Sequence, residues 1–117
     1  MGRRQRRRQR DVEPAATVPY EDAEGNVLTL RERLTAGTVA RYRALETSAA
    51  ASTEDEWQRR SEFLFEHLTV SWTIAGLPLT GQGELLGRYR MADSETRRWV
   101  RETVTGHVRR HQPELDA

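Results

Sequence analysis

The chain has 117 residues, of which 36% are hydrophobic and 32% are charged, and its formal net charge is +1. This length fits a single domain, and the absence of cysteine excludes disulfides, thiolate catalysis and cysteine metal sites. No apolar run approaches the roughly 18 residues of a membrane span, and the basic N-terminus is not followed by an apolar segment. We therefore expect a cytoplasmic protein without a membrane partner.

The N-terminal ten residues form a low-complexity basic arm. They contain no acidic residue, and their arginines are Arg3, Arg4, Arg6, Arg7, Arg8 and Arg10. Dense like charges repel one another and have no apolar face to bury, which predicts a disordered arm and linker over residues 1–16. The arm resembles arginine-rich RNA-binding peptides, so nucleic-acid binding through residues 2–10 is one hypothesis. The alternatives are a solvated tail or a start codon placed too far upstream.

Residues 18–31 have the pattern of a β-hairpin. Val18 and Tyr20 alternate on one side, residues 27–30 form the return strand, and the polar segment between them contains Gly25. Pro19 cannot donate a backbone hydrogen bond, which places the first strand at an edge. An isolated hairpin is marginally stable, so we expect it to pack on helices or to pair with another subunit.

A first helix begins at Thr35 and presents Val39, Tyr42 and Leu45 on one face, and residues 46–52 form a frayed end or a loop. The central helix begins at Thr53, with Glu56 completing a capping box. Its apolar face is predicted to consist of Trp57, Leu64, Phe65, Leu68 and Trp72, and Gly76 and Pro78 end it. Its last turn, residues 69–74, is rich in β-branched residues, so the alternative is an earlier helix end followed by a short extended segment.

Two further helices follow, of which the first is short. Thr80 is the predicted cap of a third helix with Leu85, Leu86 and Tyr89 on its apolar face, and three glycines weaken it. Asp93 or Ser94 caps a last helix that runs to about Arg110, and its apolar face consists of Trp99, Val100, Thr103, Val104 and Val108. The predicted fold is mainly α, a small bundle of about four helices with an N-terminal β-hairpin. It forms one domain over residues 17–112, followed by a tail over 113–117.

The sequence offers little for catalysis, and we expect neither an enzyme nor a cofactor. His67, His107 and His111 are the only histidines, and a zinc site needs more ligands at suitable spacing. We interpret the pair at 107 and 111 as exposed side chains near the C-terminal end of a helix. The glycines at 81, 83 and 87 lack the lysine and the spacing of a phosphate-binding loop.

A helix-turn-helix is an alternative interpretation of residues 79–110. The second helix of such a motif would carry the arginines that face DNA, namely Arg97, Arg98, Arg101, Arg109 and Arg110. Two acidic residues, Glu95 and Glu102, dilute this charge, and residues 11–117 are net acidic.

The order of these elements resembles a known family. The string Leu28-Thr29-Leu30-Arg31 leads into Leu34-Thr35 and a helix, and a later helix ends in Val70-Ser71-Trp72-Thr73-Ile74-Ala75-Gly76-Leu77-Pro78-Leu79. Over residues 18–112 this pattern is similar to that of the tail assembly chaperones of long-tailed bacteriophages, particularly those of actinobacterial hosts. The resemblance implies a non-enzymatic protein that binds the tape-measure protein, helps to recruit tail-tube subunits and is absent from the finished virion.

If the resemblance holds, the partner surface lies at the exit of the central helix and on the third helix. The residues expected there are Trp72, Ile74, Leu77, Pro78, Leu79, Leu85 and Leu86, and the competing interpretation is that each of them is sealed in the core. Two other functions remain open, a structural phage component such as a small head–tail connector and nucleic-acid binding through the arm. The sequence also leaves open a homo-oligomer.

Overall fold

The computed structural model describes residues 16–45 and 53–115. The predictions for the arginine-rich arm and for residues 46–52 lie outside these ranges. The described part of the chain contains these elements in order: strands β1 (Thr17–Glu21) and β2 (Val27–Arg31), helices α1 (Ala36–Ala44) and α2 (Thr53–Leu68), strands β3 (Thr69–Ile74) and β4 (Leu77–Leu79), helices α3 (Gln82–Met91) and α4 (Ser94–His111), and a 3₁₀ helix (Pro113–Leu115).

The four strands form one antiparallel sheet in the order β1-β2-β3-β4. The prediction of a mainly helical bundle is therefore wrong, and the fold is α+β. The N-terminal hairpin is confirmed, and Tyr20 lies opposite Leu28 in its register. Its turn is closed by the Asp22 carboxylate, which accepts hydrogen bonds from the backbone N–H groups of Glu24 and Asn26, each at 2.9 Å.

The central helix ends before Trp72, the last residue of the apolar face that we predicted for it. Helix α2 ends at Leu68, and the following six residues form strand β3, as the alternative of an extended segment proposed. Strand β3 pairs with β2, and Leu28 lies opposite Trp72. The β-branched residues of this segment fit a pleated sheet better than a helix, and pairing with β2 supplies the backbone partners. The N-terminal hairpin, which we expected to pack on helices or to pair with another subunit, is thus half of a four-stranded sheet within the same chain.

Helices cover one face of the sheet. Leu28 and Leu30 of β2 are completely buried, whereas their neighbours Val27, Thr29 and Arg31 are half-buried or exposed. The apolar faces predicted for α1 and α4 are confirmed, since Tyr42, Val100, Val104 and Val108 are buried, and Val39, Leu45 and Trp99 pack against them. The core placement of Trp57 is wrong, because this side chain is 54% exposed on the first turns of α2.

Helix caps follow the predictions in part. The Thr35 hydroxyl accepts a hydrogen bond from the N–H of Thr38 at 3.3 Å, and the Asp93 carboxylate accepts one from the N–H of Thr96 at 2.7 Å. The predicted cap of α3 at Thr80 is wrong, because Gly81 occupies the cap position without a side-chain hydrogen bond. Helix α2 begins at Thr53. The structure does not describe the Thr53 side chain, so the cap predicted there stays a prediction.

The C-terminal end of the described chain packs on the connection between β2 and α1. The side-chain amide of Gln112 accepts a hydrogen bond from the N–H of Leu34 at 2.8 Å and donates one to its carbonyl at 3.2 Å. Both residues are buried, and Leu115 of the 3₁₀ helix belongs to the core. The packed region therefore extends past residue 112, where we predicted the domain to end.

Candidate functional site

The segment that carries the family resemblance folds as the hairpin of β3 and β4. Its register pairs Trp72 with Leu79, Thr73 with Pro78 and Ile74 with Leu77. The loop contains only Ala75 and Gly76, whose φ angles are +52° and +80°. Positive φ at both central residues is the requirement of a type I′ turn, which matches the natural twist of two paired strands. The turn is held from outside, because the N–H of Ala75 donates to the Asn26 side chain at 3.0 Å.

The seven residues predicted for partner binding do not form one surface. Trp72 and Leu85 are buried at 1% exposure each and belong to the core. Three others, Ile74, Leu79 and Leu86, are half-buried and pack against that core. Leu77 is 71% exposed and Pro78 is exposed beside it on β4. The structure thus reduces the candidate contact surface to the end of one hairpin.

Each edge strand of the sheet carries a proline at its centre. Pro19 lies in the middle of β1 opposite Thr29, and Pro78 lies in the middle of β4 opposite Thr73. Proline has no N–H to donate to an added strand, and natural sheets use it to block association through their edges. A partner of the β3–β4 hairpin therefore has to contact side chains such as Leu77, because it cannot extend the sheet fully.

The histidine at position 107 is not exposed at a helix end as we predicted. His107 is completely buried instead of exposed, because it lies on the face of α4 that packs against the N-terminal hairpin. One ring nitrogen, Nε2, lies 2.8 Å from the carbonyl oxygen of Arg31, which can only accept, so Nε2 carries the proton. The other, Nδ1, then accepts a hydrogen bond from the Tyr20 hydroxyl at 2.6 Å. That hydroxyl also accepts a hydrogen bond from Arg110 at 3.0 Å.

Burial lowers the pKa of His107 below its ordinary value, because an imidazolium ion loses its hydration inside the protein. The neutral ring is the form that the Tyr20 hydrogen bond requires. This arrangement connects helix α4 to strands β1 and β2 and is structural in character. Within residues 16–45 and 53–115, the structure groups no three side chains of the kind that hold a metal ion.

The glycine-rich segment is the start of helix α3. Gly81 precedes the helix, and Gln82 and Gly83 belong to its first turn. The Gln82 amide donates to the carbonyl of Glu66 at 3.4 Å, which connects this turn to α2. The segment therefore serves as the connection between β4 and α3.

A second surface is formed by α4 and the beginning of α2. The arginines of the helix-turn-helix hypothesis all lie on α4, but Arg110 contacts Tyr20 while Arg98, Arg101 and Arg109 line a groove of about 440 Å³ beside Trp57. The Arg101 guanidinium lies over the Trp57 ring, with its Cζ atom 5.1 Å from the ring centroid. Sequence reasoning missed the exposure of Trp57, although the charged residues on either side of it are a signal of a solvated first turn.

Comparison of this chain with protein-family models, with curated proteins and with solved structures finds no match. Within the described ranges, the structure contains no helix with the length and apolar character needed to cross a bilayer.

Proposed function

We propose that this protein is a non-enzymatic assembly chaperone of a long-tailed bacteriophage. In this proposal it binds the tape-measure protein in the host cytoplasm, shields that protein's apolar helices and helps to recruit tail-tube subunits. One observation carries the proposal. The string that resembles the chaperone family forms a single hairpin, and that hairpin leaves Leu77 exposed beside the half-buried Ile74.

The geometry of the hairpin suits a helical partner. The pair formed by Ile74 and Leu77 offers adjacent apolar side chains next to the tight turn. Covering a leucine side chain that is mostly exposed contributes up to about 1.5–3 kcal/mol to binding. Pro78 removes one backbone donor from the same edge, which disfavours a partner strand and favours packing against an apolar helix face. Such a contact is modest and reversible, as the release of a chaperone requires.

The proposal is tested with Leu77→Ser in the full chain, co-expressed with the tape-measure protein encoded in the same genome. Because Leu77 is exposed, this change leaves the core intact. We expect the amount of tape-measure protein recovered with the variant to fall at least tenfold. Met91→Ser is the matched control, because Met91 is also a large exposed apolar residue, at 85%, but lies at the end of α3. Equal recovery of the tape-measure protein with both variants would contradict the proposal.

The head–tail connector is distinguished from a chaperone by the composition of the finished particle. A chaperone acts before the tail tube polymerises, so mass spectrometry of purified virions should detect no peptide of this chain. Its presence at a fixed copy number beside the known structural proteins would favour the connector and contradict our proposal.

A further inference from the structure

The structure carries a second surface that the chaperone proposal does not use, which we term the Arg–Trp groove. Its lining includes Trp57 from α2 and Arg98, Arg101, Glu102, Thr105 and Arg109 from α4, and its volume is about 440 Å³. Among the described residues, Trp57 is one of three large hydrophobic side chains that are more than half exposed. The groove lies at the N-terminal end of α2, whereas the β3–β4 hairpin follows the C-terminal end of that helix.

The groove follows helix α4. Arg98, Arg101, Thr105 and Arg109 recur at intervals of three or four residues and therefore share one face of the helix. The face packed in the core carries Val100, Val104 and Val108. The interval from residue 98 to residue 109 corresponds to about 16 Å along the axis, or about three helical turns. A partner helix of about three turns lying alongside α4 would cover this face.

Arg98 and Arg101 lack the carboxylate partners that other arginines of the described chain have. Two arginines outside the groove pair with carboxylates: Arg90 with Glu62 and Arg33 with Glu114, each at 2.7 Å. Arg98 and Arg101 form no ion pair with a carboxylate of the described chain, although Arg101 stacks on Trp57. A planar guanidinium beside an aromatic ring can pair with a carboxylate in two parallel hydrogen bonds while the ring covers an apolar neighbour.

An adjoining cleft carries both arginines and carboxylates. It has a volume of about 350 Å³, and its lining includes Trp57, Arg101 and Arg97. The Nε atom of Arg97 is buried and has no hydrogen-bond partner among the described residues, which is an unfavourable state for a charged group. The cleft also contains Glu54 and Glu62. These carboxylates, and Glu102 in the groove, repel negative charge at their own positions, so they disfavour a continuous phosphodiester chain and restrict an anionic partner to separate carboxylates placed at Arg98 and Arg101.

We propose that the Arg–Trp groove binds an acidic helical segment of a protein partner. Carboxylates spaced three or four residues apart on that segment pair with Arg98 and Arg101, and an apolar side chain between them packs on the exposed part of the Trp57 ring. This inference goes beyond the proposed function and does not depend on it, because it assigns a second contact at the other end of α2.

The test uses the full chain and two synthetic 18-residue helical peptides. One carries glutamates at intervals of three or four residues next to a leucine stripe, and the other carries lysines at the same positions. The groove variant is Arg98→Glu with Arg101→Glu, and the control is Arg31→Glu with Arg41→Glu, which changes the charge equally at exposed sites on β2 and α1. Both variants retain the arginines of residues 3–10. Any peptide binding by this arm is therefore the same in both and does not affect the comparison between them.

We expect the acidic peptide to bind the wild-type chain and the control alike, and the groove variant to bind it at least tenfold more weakly in fluorescence anisotropy titrations. The lysine peptide should not bind. Trp57→Ala should weaken binding with an unchanged circular dichroism spectrum, since Trp57 is mostly outside the core. Leu77→Ser should bind the acidic peptide normally, which separates this inference from the chaperone proposal.

Two results would overturn the inference. Equal affinity of the groove variant and the control for the acidic peptide would mean that the groove is not the binding site. Tighter binding of a 12-nucleotide single-stranded DNA than of the peptide, lost in the groove variant alone, would assign the groove to nucleic acid instead.

Discussion

At the scale of single residues, His107 shows how a side chain with catalytic potential serves the fold. Its two ring nitrogens connect α4 to β1 through Tyr20 and to β2 through the carbonyl of Arg31. Besides Tyr20, its charged or titratable neighbours include Arg110, which donates to the same Tyr20 hydroxyl, and His111, whose ring centroid lies 4.6 Å away. Neither offers the imidazole a negative partner, so protonation of His107 inside the fold is unfavourable.

We predict that this histidine makes stability depend on pH. Its pKa is lowered in the folded state by burial, so the unfolded chain binds a proton at a higher pH than the folded chain does. The stabilisation is complete above the ordinary histidine pKa of about 6.5 and is lost as pH falls towards the lowered value. The slope contributed by one proton is at most about 1.4 kcal/mol per pH unit. Urea unfolding between pH 5 and pH 7.5 measures it.

The variant that checks this source of pH dependence is His107→Gln, which removes the titrating group. We expect it to be less stable than the wild type at pH 7.5 but to show a smaller loss of unfolding free energy on acidification. His67→Gln serves as the control for the loss of one histidine outside the network. A pH slope in His107→Gln as steep as that of the wild type would refute this assignment.

At the scale of elements, the β3–β4 hairpin shows why sequence reasoning extended a helix too far. Phe65, Leu68 and Trp72 continue a helical spacing, and all three are buried. The register shifts between Thr29 and Leu30, so that Ser71 pairs with Thr29 but Thr69 pairs with Leu30. This bulge leaves Val70 as the extra residue and places Thr69 and Trp72 on the same side of β3, three residues apart. In this bulged strand the buried residues are therefore three apart, as they are on one face of a helix.

The turn of this hairpin was equally hard to recognise. The strongest sequence signal of a type I′ turn is Asn-Gly or Asp-Gly, and here the pair is Ala75-Gly76. The N-terminal hairpin carried clear signals, namely alternation, Asp22 and Gly25, and its prediction was correct. Local patterns also specified the buried faces of α1 and α4. What they could not specify was the pairing of β2 with β3, which brings together residues about 45 apart in sequence.

Ala75 provides a prediction at this scale. An alanine at φ +52° carries the steric cost of the left-handed region, about 1–2 kcal/mol, which asparagine tolerates better. We expect Ala75→Asn to raise the free energy of unfolding by about 0.5–1 kcal/mol, because the hydrogen bond to Asn26 uses the backbone and is retained. Chemical denaturation with urea measures the change.

The matched variant is the next residue of the same turn. Gly76 has φ +80°, and a Cβ added there meets no atom within 4 Å, so Gly76→Ala tests backbone conformation without a steric clash. It should lower stability by about 1 kcal/mol. If both variants unfold at the wild-type urea concentration, the turn does not impose positive φ in solution.

At the scale of the whole molecule, the fold is closed by contacts between distant parts of the chain. Tyr20 contacts His107, Leu34 pairs with Gln112, and Arg33 pairs with Glu114 across 81 residues of sequence. The first strands and the last helix therefore stabilise each other. Sequence reasoning placed a tail at residues 113–117 because a proline and two acidic residues are typical of a chain end. Leu115 is buried in the core instead.

We predict that removing residues 112–117 unfolds most of the domain at 37 °C. Loss of Leu115 leaves a cavity worth about 2–5 kcal/mol, and loss of Gln112 leaves the buried N–H and C=O of Leu34 without their partner, at about 1–3 kcal/mol. The sum approaches the total stability of a small domain, about 5–15 kcal/mol. Arg33→Ala in the full chain is the control, because it removes the ion pair with Glu114 and a hydrogen bond to the His111 carbonyl, both of them exposed, and exposed contacts of this kind contribute little. Thermal denaturation followed by circular dichroism should show a large drop in midpoint for the truncated chain and a small one for the control. An unchanged midpoint in the truncated chain would show that the C-terminal contacts do not close the fold, and stability would then have to come from the sheet and α2 alone.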